Sequence, residues 1–518
     1  MTVPPPLGSE RPVVVKRLLL PGALVLALAA PLGWTSSAAT AAPGPAVSAV
    51  AAAVGAPASK HLGQKSGQKP GQKPGTGKGG RWKAYKGPYF NDPHLKAGHF
   101  RIESKVIDTI RHVPKGATIR IAVYSFDRMP VADALIAAHR RGVKVQMLLN
   151  DHQDTKAMKA IRAAIGTNRF AKSFIYKCKE SCRGKANQYN NLHSKFYSFT
   201  QAGKSKDVLA VGSANMTLNA VLHQWNDLYF MSGNHDLFAQ FTDLFKDMKH
   251  DYSTRQKARF FCGTPANGTT CDDSVDKYTA WAFPKLSGPE NDLVLDMLNK
   301  IQCLTPDGNG GQTRTRLALA MHTMRGKRGD YIASAIRQKF AEGCDFRVDY
   351  GLIGYHTKQI LGATTARGRI PLRSTGLDYH PDDNFDLNHD GEDDLILDFY
   401  SHQKYFIIQG TYNGVPNTNM VLTGSSNWAS LSTANDEIWF TIHGRTAANK
   451  YLKNFNYEWD YKRNSRDAYT TTYTNFRVAR MERAADGTMR KVFVTVRRPV
   501  TSVRPDPDRA GGPYWEGD

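Results

Sequence analysis

Two motifs in the sequence pair a histidine with a lysine two residues further on. The pairs are His193 with Lys195 and His402 with Lys404. Because residues i and i+2 of a strand point to the same face, each imidazole and its ammonium are expected to share a pocket. An imidazole can attack an electrophile or donate a proton near neutral pH, while an ammonium binds an anion. The pattern therefore indicates nucleophilic and acid–base chemistry on an anionic substrate.

Each pair is followed by the motif Gly-Ser-x-Asn. This motif supplies Ser213 and Asn215 after the first pair, and Ser425 and Asn427 after the second. The asparagines come 22 and 25 residues after the respective histidines, a distance at which a neighbouring strand can return them beside the pair. One His-x-Lys motif alone is weak support for a site. Two copies in the same order, each leading into Gly-Ser-x-Asn, favour a functional one.

The motifs lie in an internal duplication. Each copy has an apolar strand, an amphipathic helix closed by glycine and a second strand, which is a βαβ unit. The strand, helix and strand are residues 118–124, 131–141 and 142–149 in the first copy, and 315–321, 329–342 and 343–350 in the second. The sequence therefore predicts an α/β protein with two pseudo-symmetric halves, each a mixed sheet flanked by helices.

With these motifs the sequence resembles the phospholipase D superfamily, whose signature is His-x-Lys-x4-Asp followed by Gly-Ser-x-Asn, used twice. The resemblance covers roughly residues 90–462, and the segment Tyr124-Ser125-Phe126 also matches. It implies phospholipase D-like halves with the active site at their interface, a covalent phosphohistidine and no required cofactor. The Asp expected at the end of the signature is replaced by Thr200 in the first motif and by Gln409 in the second. Tyrosyl-DNA phosphodiesterases of the same superfamily also lack that Asp and remain active.

The resemblance assigns roles to the paired residues. By similarity, His193 is expected to form the phosphohistidine and His402 to act as the general acid, although exchanged roles stay open. The lysines would meet the charge of a phosphodiester, and Asn215 and Asn427 would add neutral donors. No catalytic metal is expected, because the two lysines do the work that Mg²⁺ does in other phosphoryl-transfer sites.

Further side chains are expected around this centre. An acid behind each imidazole would hold its tautomer and stabilise the imidazolium, and Asp227 and Glu437 are expected in that role. Glu437 is the stronger match, because it ends the family's Asn-x-Glu pattern. Ser213, Ser425 and Trp428 are expected to contact the substrate, although a tryptophan in this position is more often part of the core.

A separate acidic segment has the spacing of a calcium loop. Its oxygen-bearing side chains are Asp386, Asn388 and Asp390 at alternate positions, followed by the turn glycine and then by Asp394. The carboxylate that should close the loop is replaced by Leu397. The pattern indicates a structural calcium ion or, as the alternative, an acidic surface loop.

The first forty residues are typical of an export signal. Basic residues precede an apolar run at 18–34, and a small-x-small cleavage site follows at 39–41. Prolines interrupt the run, which argues against a membrane-spanning helix. The predicted organisation is a signal peptide at 1–41, an Ala-rich then Gly/Lys/Pro-rich flexible linker at 42–87, an N-terminal half at 88–255, a connecting segment at 256–310, a C-terminal half at 311–462 and a tail at 463–518.

The six cysteines are even in number and belong to a chain expected outside the cell, which favours disulfides. Fifteen pairings are open. Loop length makes Cys178 with Cys182 and Cys262 with Cys271 the easiest closures, which leaves Cys303 for Cys344. Zinc is disfavoured because no histidine lies at ligand spacing.

The formal net charge is +23, and residues 60–86 alone hold eight Lys or Arg and no acid. A basic chain fits an anionic partner, which is a phospholipid or membrane surface, with nucleic acid as the other choice. The sequence thus predicts a secreted, extracellular, monomeric phospholipase D-type phosphodiesterase that hydrolyses headgroup diesters, with transfer to alcohols as a second outcome. The alternatives are a secreted nuclease acting on DNA or RNA, and an inactive anion-binding envelope protein.

Overall fold

The strands that follow the two His-x-Lys motifs lie in the middle of two separate sheets. The computed structural model of the chain describes residues 82–151, 154–184, 190–379 and 397–504. The predicted signal peptide, the linker up to residue 81 and the predicted calcium loop (Asp386, Asn388, Asp390 and Asp394) lie outside the described residues.

The first sheet has seven strands and is flanked by helices. The elements of this part of the chain are β1 (Gly87–Phe90), α1 (Arg101–Arg111), β2 (Thr118–Val123), α2 (Met129–Arg140), β3 (Lys144–Leu149), α3 (Lys156–Ile165), β4 (Phe174–Lys177), β5 (Phe196–Ala202), β6 (Ser205–Gly212), α4 (Leu218–Leu222), β7 (Gln224–Trp225), β8 (Asp227–Met231) and α5 (His235–Met248). The strand order is β1-β8-β6-β5-β2-β3-β4. β2, β3 and β4 are parallel and the remaining pairs are antiparallel.

The second sheet is larger and begins in the predicted connecting segment. Its part of the chain contains β9 (Arg259–Cys262), β10 (Tyr278–Ala282), α6 (Leu293–Asn299), β11 (Ile301–Gln302), β12 (Leu304–Pro306), β13 (Gln312–Arg314), β14 (Arg316–Arg325), α7 (Gly326–Ala341), β15 (Asp345–Ile353), α8 (Tyr355–Gly362), β16 (Leu372–Ser374), β17 (Tyr400–Ser401), β18 (Lys404–Tyr412), β19 (Val415–Gly424), β20 (Trp428–Ala429), β21 (Ile438–His443), α9 (Arg445–Asp460) and β22 (Arg466–Asp467). The main strand order is β22-β16-β15-β14-β18-β19-β21-β10-β9.

The two sheets share one internal topology. The series β10-β21-β19-β18-β14-β15-β16 repeats the order and strand directions of the seven strands of the first sheet. Each sheet is mixed and carries helices, which confirms the predicted α/β fold class. The predicted domain boundaries and a symmetry operation that relates the halves stay predictions.

The hydrophobic core has three parts, two on the outer faces of the sheets and one between the sheets. Helices α1, α2 and α3 cover the outer face of the first sheet, and α6, α7 and α8 cover that of the second. Between the sheets, Phe241 of α5 and Tyr451 of α9 pack with Phe196 and Tyr405, which belong to the two strands after the His-x-Lys motifs. The central strands β2 and β3 each end in an apolar run, at residues 121–123 and 147–149, where both of their faces are covered.

Local capping explains where several helices begin. The Thr155 hydroxyl accepts from the Met158 amide at 3.1 Å, and the Asn234 side chain accepts from the Leu237 amide at 3.0 Å. Such a side chain satisfies an amide that has no partner inside the helix. Among the residues that the structure describes, no helix combines the length and the apolar character needed to cross a bilayer.

All three disulfides form as loop length predicts. They join Cys178 to Cys182, Cys262 to Cys271 and Cys303 to Cys344. Within the described residues, Cys262, Cys271 and Asp276 lie close enough together to hold a metal ion, but the two sulfurs of that group are bonded to each other.

The predicted tail forms a long ribbon. Strands β23 (Tyr469–Arg483) and β24 (Met489–Val503) pair with each other over their full length as a two-stranded antiparallel sheet. Its base is attached to the second half, where Arg369 donates to the Thr501 carbonyl at 2.6 Å and the Tyr469 hydroxyl donates to the Ile370 carbonyl at 2.8 Å.

Candidate active site

The two His-x-Lys motifs are each tied by their backbone to the opposite half of the chain. The His193 amide donates to the Asp436 carbonyl at 3.0 Å, and the His402 amide donates to the Trp225 carbonyl at 2.9 Å. Strand β17, just before His402, also pairs in parallel with β7 of the first half. The histidine of each motif therefore lies where the two halves meet.

The imidazoles of both motifs are oriented by side chains from the opposite half. His193 Nδ1 lies 2.9 Å from each carboxylate oxygen of Glu437. His402 Nδ1 lies 2.9 Å from Asn226 Oδ1. The amide nitrogen of Asn226 donates to the Gln224 side chain at 3.1 Å, which fixes its oxygen as the acceptor for His402. Each Nδ1 thus carries a hydrogen, and in the neutral ring Nε2 holds the lone pair that can attack or take a proton.

The expectation for Glu437 agrees with the geometry, whereas that for Asp227 needs correction. Asn226, the residue before Asp227, is the one at the His402 ring. The Asp227 carboxylate instead accepts from the Thr423 hydroxyl at 2.6 Å and from the Tyr451 hydroxyl at 2.8 Å. Burial raises the pKa of Asp227 even though these hydroxyls favour its ionised form.

The strand register explains this correction. The Ser213 amide donates to the Asp227 carbonyl, and the Ser425 amide donates to the Ile438 carbonyl, both at 3.0 Å. Asp227 therefore corresponds to Ile438, and Asn226 corresponds to Glu437. Because neighbouring residues of a strand point to opposite faces, a shift of one position exchanges the residue at the ring for one that faces away from it.

The glycine of each Gly-Ser-x-Asn motif allows this close pairing. A Cβ on Gly212 would lie 2.3 Å from the Asp227 carbonyl oxygen, and one on Gly424 would lie 2.1 Å from that of Ile438. Only glycine permits the two backbones to approach this closely.

The serines of the same motifs hold the orienting side chains. The Ser213 hydroxyl donates to Asn226 Oδ1 at 2.9 Å, and the Ser425 hydroxyl donates to a Glu437 oxygen at 2.6 Å. Each serine oxygen also accepts the next strand amide, from Asp227 or Ile438. The expected substrate-contact role of Ser213 and Ser425 is therefore replaced by a positioning role.

Trp428 lies in the core, which corrects the expectation that it contacts the substrate. It is 1% exposed, and its ring packs against Phe406 at a centroid distance of 5.8 Å. The alternative that the sequence left open for this residue is the correct one.

The lysines are buried and occupy equivalent positions. Lys195 Nζ donates to the His193 carbonyl at 2.9 Å, and Lys404 Nζ donates to the His402 carbonyl at 2.7 Å. Burial alone would raise the pKa of Glu437, but the nearby His193 and Lys195 lower it below its usual range. Glu437 is therefore ionised, and two buried ammonium groups leave the centre suited to an anion.

The asparagines lie where the sequence predicts, each beside the Gly-Ser turn. Asn215 Oδ1 accepts from the Ser125 amide at 3.4 Å, so its NH2 group is the part that can donate to a ligand. The Asn427 carbonyl accepts from the buried guanidinium of Arg328 at 2.9 Å. Arg328 in turn pairs with buried Asp292 at 2.7 Å, which fixes the backbone at Asn427.

A third histidine, His322, lies beside His402 and was missed from the sequence. Its ring centroid is 4.7 Å from that of His402, and its Nδ1 donates to the Ser401 carbonyl at 3.0 Å. The strand pairing makes His322 of β14 equivalent to Tyr124, whose ring lies 5.1 Å from that of His193. Alignment of the two copies strand by strand would have found it.

Together, these contacts define a two-sheet α/β protein with one histidine of each motif oriented across the interface of its halves. Residues 107–249 match the family model described as Cardiolipin synthase, PLD-like domain. This match confirms the resemblance to the phospholipase D superfamily, whose members act on phosphodiesters and generally need no cofactor.

Several solved structures are similar to parts of this chain at low identity. Polyphosphate kinase from Porphyromonas gingivalis is 12% identical at a TM-score of 0.42, over 74% of this chain and 51% of that one. The phospholipase D family member Nuc from Salmonella typhimurium is 18% identical at a TM-score of 0.24, over 33% of this chain and 98% of that one. Phosphatidylserine synthase from Haemophilus influenzae is 11% identical at a TM-score of 0.41, over 71% of this chain and 86% of that one. The chain thus spans about half the length of the kinase that it matches. No curated protein matched the sequence.

Proposed function

We propose that the chain is an exported phosphodiesterase that hydrolyses phospholipid headgroup diesters through a phosphohistidine on His193. The observation that carries the proposal is the pair of imidazoles, one held by Glu437 and the other by Asn226, beside buried Lys195 and Lys404. Two rings with defined tautomers and two buried cations are what a double displacement on a phosphodiester requires.

In the first step, His193 Nε2 attacks phosphorus and forms an N–P bond. The bond from phosphorus to the headgroup oxygen breaks, and protonated His402 gives its Nε2 proton to that oxygen. The headgroup alcohol leaves, and the phosphatidyl group stays on His193. Lys195 and Lys404 stabilise the charge on the non-bridging oxygens.

In the second step, neutral His402 takes a proton from water, and the resulting oxygen nucleophile attacks phosphorus. The N–P bond breaks, phosphatidic acid leaves, and both rings return to their starting states. An alcohol that replaces water in this step yields a new phosphatidyl ester, so transfer to alcohols competes with hydrolysis.

The unlike partners of the rings support the assignment of roles. The phosphorylated imidazole is cationic, and the ionised carboxylate of Glu437 stabilises a positive ring. His402 has a neutral amide behind it, so its imidazolium is held less tightly and gives up its proton more readily. His193 is therefore the better nucleophile and His402 the better acid.

Three considerations support a lipid substrate outside the cell. The first residues are typical of an export signal, the three disulfides suit an oxidising compartment, and the chain is strongly basic. The nuclease alternative shares the same steps and differs in the leaving alcohol. The inactive alternative is disfavoured because both histidines keep an orienting partner. We also propose that the enzyme acts as a monomer, because one chain supplies both motifs.

The deciding experiment offers a short-chain phosphatidylcholine and supercoiled plasmid DNA to the same preparation. We expect choline release, phosphatidylethanol when ethanol is present, and a mass-shifted peptide that carries the phosphatidyl group on His193. His193→Ala should lose all three, while the control His356→Ala, which changes an exposed histidine, should retain them. Plasmid cleavage that falls steeply with salt, with the lipid intact, would replace lipid by nucleic acid. The absence of turnover and adduct on both substrates would sink the enzyme proposal.

A further inference from the structure

The C-terminal ribbon is a large exposed feature that the catalytic centre does not use. Its two strands have 15 paired residues each, a length of about 50 Å at the usual rise per residue. Large apolar side chains are exposed along it, and Met481, Met489 and Phe493 near the tip are each 54% exposed. An exposed apolar patch on a charged arm is typical of a docking surface.

The register divides the ribbon into two unlike faces. Cross-strand partners share a face, so Met481 lies with Lys491, Arg483 with Met489, and Ala479 with Phe493. The face that contains these pairs, here called the cationic face, carries four cations and no acid along the fully described strands; the cations are Arg477, Arg483, Lys491 and Arg497.

The opposite face, here called the valine face, has a different chemistry. It carries Val478, Val492, Val494 and Val496, which are half-buried, together with three arginines and one acid. Two of these arginines are engaged in ion pairs: Arg480 lies 3.9 Å from Glu482, and Arg490 lies 2.7 Å from Asp486 in the turn. The excess of positive charge is therefore on the cationic face.

Cations and rings alternate on the cationic face. The Arg477 guanidinium lies 4.7 Å and Lys491 Nζ lies 5.6 Å from the centre of the Phe493 ring. Nearer the base, the Arg497 guanidinium lies 5.0 Å from the centre of the Tyr473 ring. Cations that bind headgroups, next to apolar groups that enter the acyl boundary, are the combination that holds proteins on anionic bilayers.

We propose that the cationic face of the ribbon docks the enzyme onto an anionic phospholipid surface. The proposal deepens the proposed function and rests on it for its purpose, which is to bring the catalytic centre to lipid packed in a bilayer. Two methionines at the tip favour lipid over nucleic acid, because a thioether can enter a bilayer but offers neither charge nor a flat ring to a base or a phosphate.

Flotation with vesicles tests the docking directly. The full chain with His193→Ala, which suppresses turnover, is mixed with vesicles of pure phosphatidylcholine or of phosphatidylcholine with 30% phosphatidylglycerol. We expect binding to the second composition and weaker binding as salt rises. The triple variant Arg477→Gln, Lys491→Gln, Arg497→Gln should bind roughly a hundredfold more weakly, from a loss of about 1 kcal/mol for each cation. The basic stretch 60–86 is common to all variants, so its contribution cancels.

The valine face provides a matched control. The variant Arg480→Gln, Arg490→Gln, Arg498→Gln removes the same number of cations and should bind within about threefold of the parent. An equal loss of vesicle binding in both triple variants would show that net charge alone accounts for the binding, and it would overturn the proposal. Retained vesicle binding by the cationic-face triple would overturn it as well.

Two further measurements separate the occupants and the two proposals. The double variant Met481→Ser, Met489→Ser should weaken vesicle binding and leave any binding to a 30-nucleotide DNA unchanged. If the cationic-face triple variant instead loses DNA binding and keeps vesicle binding, the face belongs to nucleic acid. With active protein, the triple should slow the hydrolysis of vesicles and leave that of monomeric short-chain phosphatidylcholine unchanged. If the wild type hydrolyses neither lipid but still floats with the vesicles, the proposed function fails and the docking surface stands.

Discussion

Replacement of Glu437 by glutamine should separate the charge behind His193 from the hydrogen bond that the same side chain makes. Glutamine keeps an oxygen that can accept from His193 Nδ1 and nearly keeps the side-chain volume. It removes the negative charge, and that charge is present in the wild type because His193 and Lys195 hold the pKa of the Glu437 carboxyl below its usual range. The variant therefore tests whether the carboxylate acts on the chemical step.

The expected magnitude follows from the geometry. Both carboxylate oxygens lie 2.9 Å from Nδ1, so the centres of charge of the two groups are about 4 Å apart. At an effective dielectric constant of about 20, the attraction between the carboxylate and a cationic ring is about 4 kcal/mol. In the proposed mechanism the His193 ring is neutral before attack and becomes positive as the N–P bond forms, so this attraction is gained in the transition state. The loss corresponds to a rate roughly a thousandfold lower.

Rapid-quench measurement of phosphohistidine formation in a single turnover is the appropriate assay. The control is Asp436→Asn, which makes the same exchange of a carboxyl for an amide at the adjacent buried position. That carboxyl accepts from the Cys182 amide at 2.6 Å and not from an imidazole, so its rate should stay within about tenfold of the wild type. A Glu437→Gln rate within tenfold of the wild type, or an equal loss in Asp436→Asn, would refute the reasoning.

Three other predictions concern residues around the same centre. Burial raises the pKa of Asp436 to about 7, so the folded chain holds a proton that the unfolded chain releases near pH 4. The free energy of unfolding should therefore fall as pH rises from about 4 to about 7. In denaturant titrations, the free energy of unfolding of Asp436→Asn should depend less on pH over this range than that of the wild type, and an equal dependence would contradict the reasoning. His322→Phe keeps a ring beside His402 and removes the bond to Ser401, so kcat should fall about tenfold with an altered pH profile; an unchanged profile would leave His322 a packing residue. Arg328→Met removes the ion-pair partner of buried Asp292 and should cost about 3–5 kcal/mol in guanidinium unfolding, whereas a cost below about 1 kcal/mol would contradict the pairing.

Much of the fold could be predicted because the same sequence pattern occurs in both copies of the duplication. A βαβ unit closed by glycine, as at residues 118–149 and 315–350, restricts the strand directions, and the structure has those strands parallel in both sheets. The cysteine pairing was predictable for a similar reason, since each bridge closes the shortest loop that is open to it. The ribbon was not predictable in the same way, because its strands pair only with each other and no core-facing pattern distinguishes them from an edge hairpin.

The orienting residues at the site were only half predictable. Matching a motif along the chain counts residues, whereas the side chain that faces the ring depends on strand register. Asn226 follows Ser213 by 13 residues and Glu437 follows Ser425 by 12, so the first copy has one more residue in its connection. With that extra residue, Asp227 corresponds to Ile438 and Asn226 to Glu437. A motif match that looks for an acid therefore selects Asp227, although Asn226 is the residue that faces the ring.

Each half of the chain supplies the side chain that orients the histidine of the other half. Glu437 of the second half holds the ring of the first motif, and Asn226 of the first half holds the ring of the second. Each half thus keeps its own histidine and lysine, but the partner that fixes the tautomer comes from the other half. A half expressed alone would keep its histidine and lysine and lose the side chain that orients the ring. In the proposed mechanism catalysis therefore requires both halves, and the difference between the carboxylate and the amide gives the two similar motifs different tasks.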